Sequence, residues 1–148
     1  MSKIKPQLPV SGWREWISLE DFHVPKIKAK IDTGAKTCSL HAENIKLKKI
    51  GRVTYVYFDL FPKQHSKSHK RVKTKLIDER YVKDTGGKKA LRPVVKSKIS
   101  LGEYKWDVEI TLSDRAKMVH EFLLARTAIK NRFLVNVGKS FLIGKEKK

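Results

Sequence analysis

One cysteine, Cys38, among 148 residues rules out an internal disulfide and leaves no mark of an oxidising compartment. No apolar run has the length of a membrane span. The opening MSKIKPQLPVSG holds two lysines and two prolines where a secretory signal would place an apolar core. A cytoplasmic protein without a membrane partner is expected. No glycine-rich phosphate loop is present, which leaves ATP binding without support, and no His-Glu-x-x-His occurs. His65 and His69 are four apart, but the Ser and Lys residues around them favour a loop, and no third ligand is near in sequence. The expectation is therefore no cofactor and no metal ligand. Negative charge is also scarce: 15 Asp and Glu against 34 Lys and Arg leave a formal net charge of +19. Such a field attracts polyanions, and nucleic acid, ribosome or acidic peptide would answer to it alike.

What is present is mostly strand. With 40% hydrophobic residues and a mean hydropathy of −0.48, the chain is long enough for one domain with a real core. Residues 1–11 read as a flexible arm, 12–144 as the single domain and 145–148 as a basic tail. A first strand starts at Gly12, with Trp13 and Trp16 expected to pack on the core. Val24 and Pro25 suggest a turn. Ile27, Ala29 and Ile31 alternate with Lys26, Lys28 and Lys30, the period of a half-buried strand ending at Asp32. Residues 39–45 read as extended, 46–49 as a basic turn closed by Gly51, and 52–61 as a β-branched and aromatic strand. Residues 62–75 contain six Lys or Arg, two His and no acid, and read as a solvated loop or hairpin tip. Strands are expected at 76–82, 92–99, 106–112, 122–124, 133–137 and 141–143, with turns at 84–89, Gly102 and 114–118 and one or two helical turns at 125–130. Short strands at this spacing indicate an all-β barrel or sandwich.

Chemistry is sought first at Asp32, Thr33 and Gly34. A carboxylate at the mouth of a rigid strand, followed by a hydroxyl and a residue with no side chain, admits a scissile bond; a simple turn would use the same residues. A second Asp-Thr-Gly begins at Asp84, but the following Gly and two lysines mark it as a hairpin turn. A thiol nucleophile made of Cys38 and His41 is the weaker option, because small buried strand cysteines are common. Hydrolysis by carboxylates needs a base and an acid together, which two carboxyl groups sharing a proton supply. With one competent triplet per chain, the second must come from a twofold homodimer.

Five blocks carry a family resemblance: GWREW, KAKIDTGAKTCSLHA, IDERYVKDTGG with RPVV after it, WDVEITLSDRAKM and FLLARTAIKNRFLV, in this order. Together they span roughly residues 12–144, and the chain closely resembles the RimB-like family. That family was long labelled ATP-dependent zinc proteases and later grouped with retropepsin-like aspartic endopeptidases. The resemblance implies a closed acid-protease β-barrel with one short helix near the C-terminus, and Asp32, Thr33 and Gly34 as its catalytic loop. Ala35, Cys38, Leu123, Leu124, Ala125 and Arg126 would support that loop. The last four match an apolar-apolar-Gly-Arg segment beneath it, with Arg126 implied to pair with an acidic residue at the base of the barrel. Ala125 replaces the usual glycine and Cys38 the usual serine, and both changes bear on activity. The zinc and ATP labels find no ligands here.

The function implied is an aspartic endopeptidase acting on a glutamate-rich peptide or ribosomal-protein tail, with Lys63, Lys67, Lys70 and Arg71 steering it. Residues 62–75 and 81–89 are candidate flaps. The alternative is a catalytically silent basic module that docks on ribosome, RNA or a glutamate-ligase partner.

Overall fold

The computed structural model describes residues 7–63, 67–83, 86–114 and 120–144. The first six residues of the arm, the tail 145–148, His65, Asp84 with Thr85, and 115–118 of the turn at 114–118 lie outside the described residues. The strands in order are β1 (Val10–Gly12), β2 (Arg14–Leu19), β3 (Val24–Asp32), β4 (Cys38–Ile50), β5 (Val53–Leu60) and β6 (Lys70–Lys75). Then follow β7 (Asp78–Lys83), β8 (Lys89–Leu101), β9 (Tyr104–Ser113), β10 (Phe122–Ala125), helix α1 (Arg126–Ile129) and β11 (Leu134–Asn136).

The protein is all-β with one short helix. Its main sheet runs β10-β3-β2-β8-β9-β4-β5-β6, with β7 paired to β8, and β10 also pairs with β4. That second pairing turns the sheet back on itself. β10, β3, β2, β8, β9 and β4 form a ring of strands, while β5 and β6 continue outward from β4 as an arm. β1 and β11 make a separate parallel pair.

The ring closes because each strand presents one apolar face inward. Ile27, Ala29 and Ile31 of β3 are buried, as are Trp106, Val108, Ile110 and Leu112 of β9 and Leu124 of β10. Phe22 meets Phe58 edge to face at a centroid distance of 5.6 Å, joining the ring core to the first part of the arm.

Several expected turns are placed differently. The chain reverses at the 3-10 turn Glu20–Phe22, with His23 at φ 55, and Pro25 lies inside β3. Residues 46–49 are strand, because β5 supplies a complete ladder from Lys46↔Tyr57 to Ile50↔Val53, and the bend falls at Gly51 with φ +62. Residues 70–75, expected as loop, pair along β5 and bury Val72. Lysine is tolerated there because only every second side chain faces the interior. Residues 141–143 are not a strand, and Val10 and Ser11, read as arm, are paired in β1.

Trp13 and Trp16 correct a further expectation. The inward positions of β2 are Glu15, Ile17 and Leu19, so Trp16 is half-buried on the outer face, and Trp13, which precedes the strand, is half-buried as well. Trp16 stacks on Phe141 at 5.7 Å and Trp13 meets His120 at 5.8 Å. Glu15 is completely buried and has no cation to pair with among the described residues; its carboxylate accepts from the amides of Gly12 (2.6 Å), Leu142 (3.0 Å), Ile143 (3.1 Å) and Gly144 (2.8 Å). Backbone amides therefore compensate the buried charge and bolt the C-terminal segment across β2. Close approach enforces glycine at the cradle: a Cβ on Gly12 would lie 2.5 Å from the Lys139 carbonyl oxygen, and one on Gly144 would strike the Trp16 carbonyl.

Candidate active site

Asp32 ends β3 and is half-buried, with Thr33 and Gly34 exposed beyond it. The Gly34 amide donates to Asp32 Oδ1 at 3.0 Å and the Ala35 amide to the Asp32 carbonyl at 3.2 Å. These two bonds fix the carboxylate over its own turn. No ion pair reaches it among the described residues. A Cβ on Gly34 would meet only Asp32 Oδ1, at 3.4 Å, which leaves the space in front of the loop open to a ligand or second chain.

The structure places the Leu123–Arg126 segment alongside the end of β3 and the start of this loop. β10 runs parallel to β3 in the register Leu123↔Lys30, Leu124↔Ile31 and Ala125↔Asp32. Leu124 and Ala125 are fully buried and Leu123 is half-buried. Beyond β10, the Arg126 amide donates to the Ala35 carbonyl at 3.0 Å and its guanidinium Nη1 to the Thr33 carbonyl at 3.3 Å. Thr127 Oγ1 donates to the Lys36 carbonyl. Within the chain, then, Arg126 holds the loop by a carbonyl, where a carboxylate partner was expected.

The two departures from the family pattern are neighbours. The Ala125 amide donates to Cys38 Sγ at 3.4 Å, so sulfur fills the acceptor role that a hydroxyl oxygen would take. Burial pushes the Cys38 thiol up to about 11 against lesser backbone hydrogen bonds, which keeps it protonated and unsuited to attack. The Ala125 methyl is accommodated in the core with the Asp32 pairing intact.

Of the proposed steering residues, Lys63 and Lys67 are exposed in the β5–β6 connection. Lys70 Nζ donates to the His23 carbonyl at 2.9 Å, and Arg71 Nη1 donates to Asp59 Oδ1 at 3.2 Å and to the Asn44 carbonyl at 2.9 Å. A cleft of about 340 Å³ behind the loop is lined by Lys36, Thr37, Cys38, Trp106, Thr127 and Arg132, among others.

Sequence reasoning missed two clusters. Nothing local marks Glu15 as buried, because the amides of Leu142, Ile143 and Gly144 that it accepts from lie almost a whole chain away. His41, Glu43 and Asp114 bring one ligand atom each to within 4.8 Å of one another, a set able to take a divalent cation. The parallel register His41↔Ser113 creates it, a contact that local spacing does not announce. His41 Nε2 already lies 3.3 Å from Glu43 Oε2.

A ring of strands that presents Asp-Thr-Gly at a strand end, backed by a parallel apolar strand entering a short helix, defines a retropepsin-like all-β protein. The model of the RimB-like family, described as retropepsin-like aspartic endopeptidase RimB, matches residues 10–146, and the chain belongs to this family. Its relatives include proteins named probable alpha-L-glutamate ligase from Shewanella halifaxensis, 40% identical over 93% of this chain, and Parasynechococcus marenigrum, 35% identical over 91%. The chain spans only 30% and 29% of the length of those two proteins. A crystal structure of a Legionella pneumophila protein of unknown function superposes with a TM-score of 0.75 at 27% identity, over 90% of this chain and 97% of that one.

Proposed function

We propose that the protein is an aspartic endopeptidase in which Asp32 from each of two copies shares one site. The observation that carries this is the Asp32 carboxylate itself, half-buried at a strand end, pinned at Oδ1 by the Gly34 amide, unpaired by any cation among the described residues, and next to open space over Gly34. Two such groups brought together by a twofold axis repel, so one ionises while the other keeps its proton. The ionised carboxylate takes a proton from water as the oxygen attacks the peptide carbonyl carbon. The protonated one gives its proton to the carbonyl oxygen, and collapse of the tetrahedral intermediate passes a proton to the leaving amine.

A glutamate-rich peptide is the proposed substrate. The net charge of +19 favours an acidic chain, and relatives named as glutamate ligases contain a region like this one. A domain that cleaves glutamate tails fits beside one that makes them.

The test compares hydrolysis of oligo-glutamate and of a neutral peptide at low and high salt, for wild type and Asp32→Asn. Preference for oligo-glutamate that weakens with salt, with all cleavage lost in the variant, is the expected result. Retained cleavage in Asp32→Asn overturns the assignment. A strictly monomeric mass under assay conditions overturns the shared site.

A further inference from the structure

The arm formed by the outer part of β4 with β5 and β6 has a chemistry that the Asp32 site does not use. Its register sets two cross-strand rows on one face, Lys46–Tyr57–Lys73 and Lys48–Tyr55–Lys75. Each row is a tyrosine ring between two lysines. Strand neighbours two apart lie about 7 Å from each other, so the rows are adjacent. All four lysines are exposed and both rings are partly so. The Lys73 ammonium sits over the Tyr55 and Tyr57 rings, at 4.6 and 5.8 Å from their centroids. The acids of these three strands, Glu43 and Asp59, lie at the ring end, and Asp59 is taken by Asn44 and Arg71.

An acidic peptide would need only the ammonium groups. Rings at the centre of each row ask for a partner with flat faces as well as negative charge, and a polynucleotide has both. Rings standing on a sheet reach unpaired bases, whereas paired bases stay inside their duplex. Base stacking on a ring exceeds an exposed ammonium-ring contact, so a base displaces Lys73 and frees it for phosphate. Both rings also carry a hydroxyl, able to donate to or accept from a ribose 2′-hydroxyl.

We propose that this face binds single-stranded RNA, with Tyr55 and Tyr57 stacking on unpaired bases and Lys46, Lys48, Lys73 and Lys75 contacting phosphates. The site is separate from Asp32 and stands whether or not the protein cleaves peptides.

The experiment is fluorescence anisotropy of a labelled oligo-uridylate titrated with the full chain across a salt series. Tyr55→Leu with Tyr57→Leu is expected to weaken binding about tenfold or more with an unchanged salt slope. Lys46→Gln with Lys73→Gln is expected to flatten the slope by about 0.7 for each phosphate that is no longer neutralised. Tyr55→Phe with Tyr57→Phe keeps the rings and the fold, and should lower only the preference for oligo-uridylate over oligothymidylate. Wild-type affinity in the leucine variant, displacement of RNA by oligo-glutamate as readily as by unlabelled RNA, or equal binding of the DNA would each overturn the proposal. Should the leucine variant fail to fold, the phenylalanine pair decides: a preference for RNA that is unchanged refutes it.

Discussion

The ring and the arm share one strand and treat it in opposite ways. In the ring, β4 contributes Cys38, Leu40 and Ala42, all buried, and its neighbours β9 and β10 close over them. In the arm, the same strand exposes Lys46, Leu47, Lys48, Lys49 and Ile50. The joint between them is an irregularity from Glu43 to Lys46 at which Asn44 adopts φ 52. Asn44 Nδ2 donates to Asp59 Oδ2 at 2.9 Å and its carbonyl accepts from Arg71, so the joint is tied to β5 and β6 at once. The ring thus holds the Asp32 carboxylate over its own turn by a backbone amide, and the arm carries exposed cations around two tyrosine rings. A reaction needs the first arrangement, and capture of a long anion needs the second.

Substitution can break this division. Asp32→Asn should take peptide hydrolysis below detection, a loss of at least about 10²-fold, while leaving RNA affinity of the arm at the wild-type value, measured by the two assays side by side. Leu124→Ala, which empties a fully buried position behind Asp32, should cost about 2–5 kcal/mol in a denaturant titration. Lys48→Gln on the arm should stay within about 0.5 kcal/mol.

Titration should separate the regions further. Cys38 ionises near 9.0 when unfolded and near 11 in the ring, so the folded state holds the proton that the unfolded state gives up. Its stabilising effect is complete below pH 9.0 and is lost as pH rises towards about 11. Cys38→Ser should remove that alkaline decline from a plot of melting temperature against pH. Asp59 is the opposite case: the Asn44 amide first, and then Arg71, hold its carboxyl below the ordinary 3.8. Its contribution is present above 3.8 and falls away as acid protonates it. Asp59→Asn should flatten the acid limb of the same plot, the smallest of these effects.

The sequence revealed the parts of this molecule that depend on local period. Ile27, Ala29 and Ile31 lead to Asp32 as their alternation requires, and Trp106 to Leu112 behave likewise. The Asp32 loop and its Leu123–Arg126 support were marked by motif. Composition misled where pairing decides: residues 46–49 looked like a turn because they are basic, yet β5 pulls them into strand. Burial of Glu15 was hidden because its compensation comes from amides at 142–144, and burial of tryptophan was expected where the alternation of β2 places Glu15.

Closure of the ring by β10 has a consequence for the order in which the chain can fold. The strand that backs Asp32 begins at Phe122, yet it pairs with Ala29 to Asp32 and with Ser39 and Leu40, some ninety residues earlier. A contact so distant in sequence pays a large loop-closure entropy before any pairing rewards it, and such contacts form slowly. The arm, by contrast, is two successive antiparallel hairpin pairings and can form early from its own residues. A chain emerging from synthesis therefore acquires its cationic face first. The Asp32 loop gains the support of β10 only after residues 122–125 have been made, so that the site at the strand end is completed after the face that carries the charge.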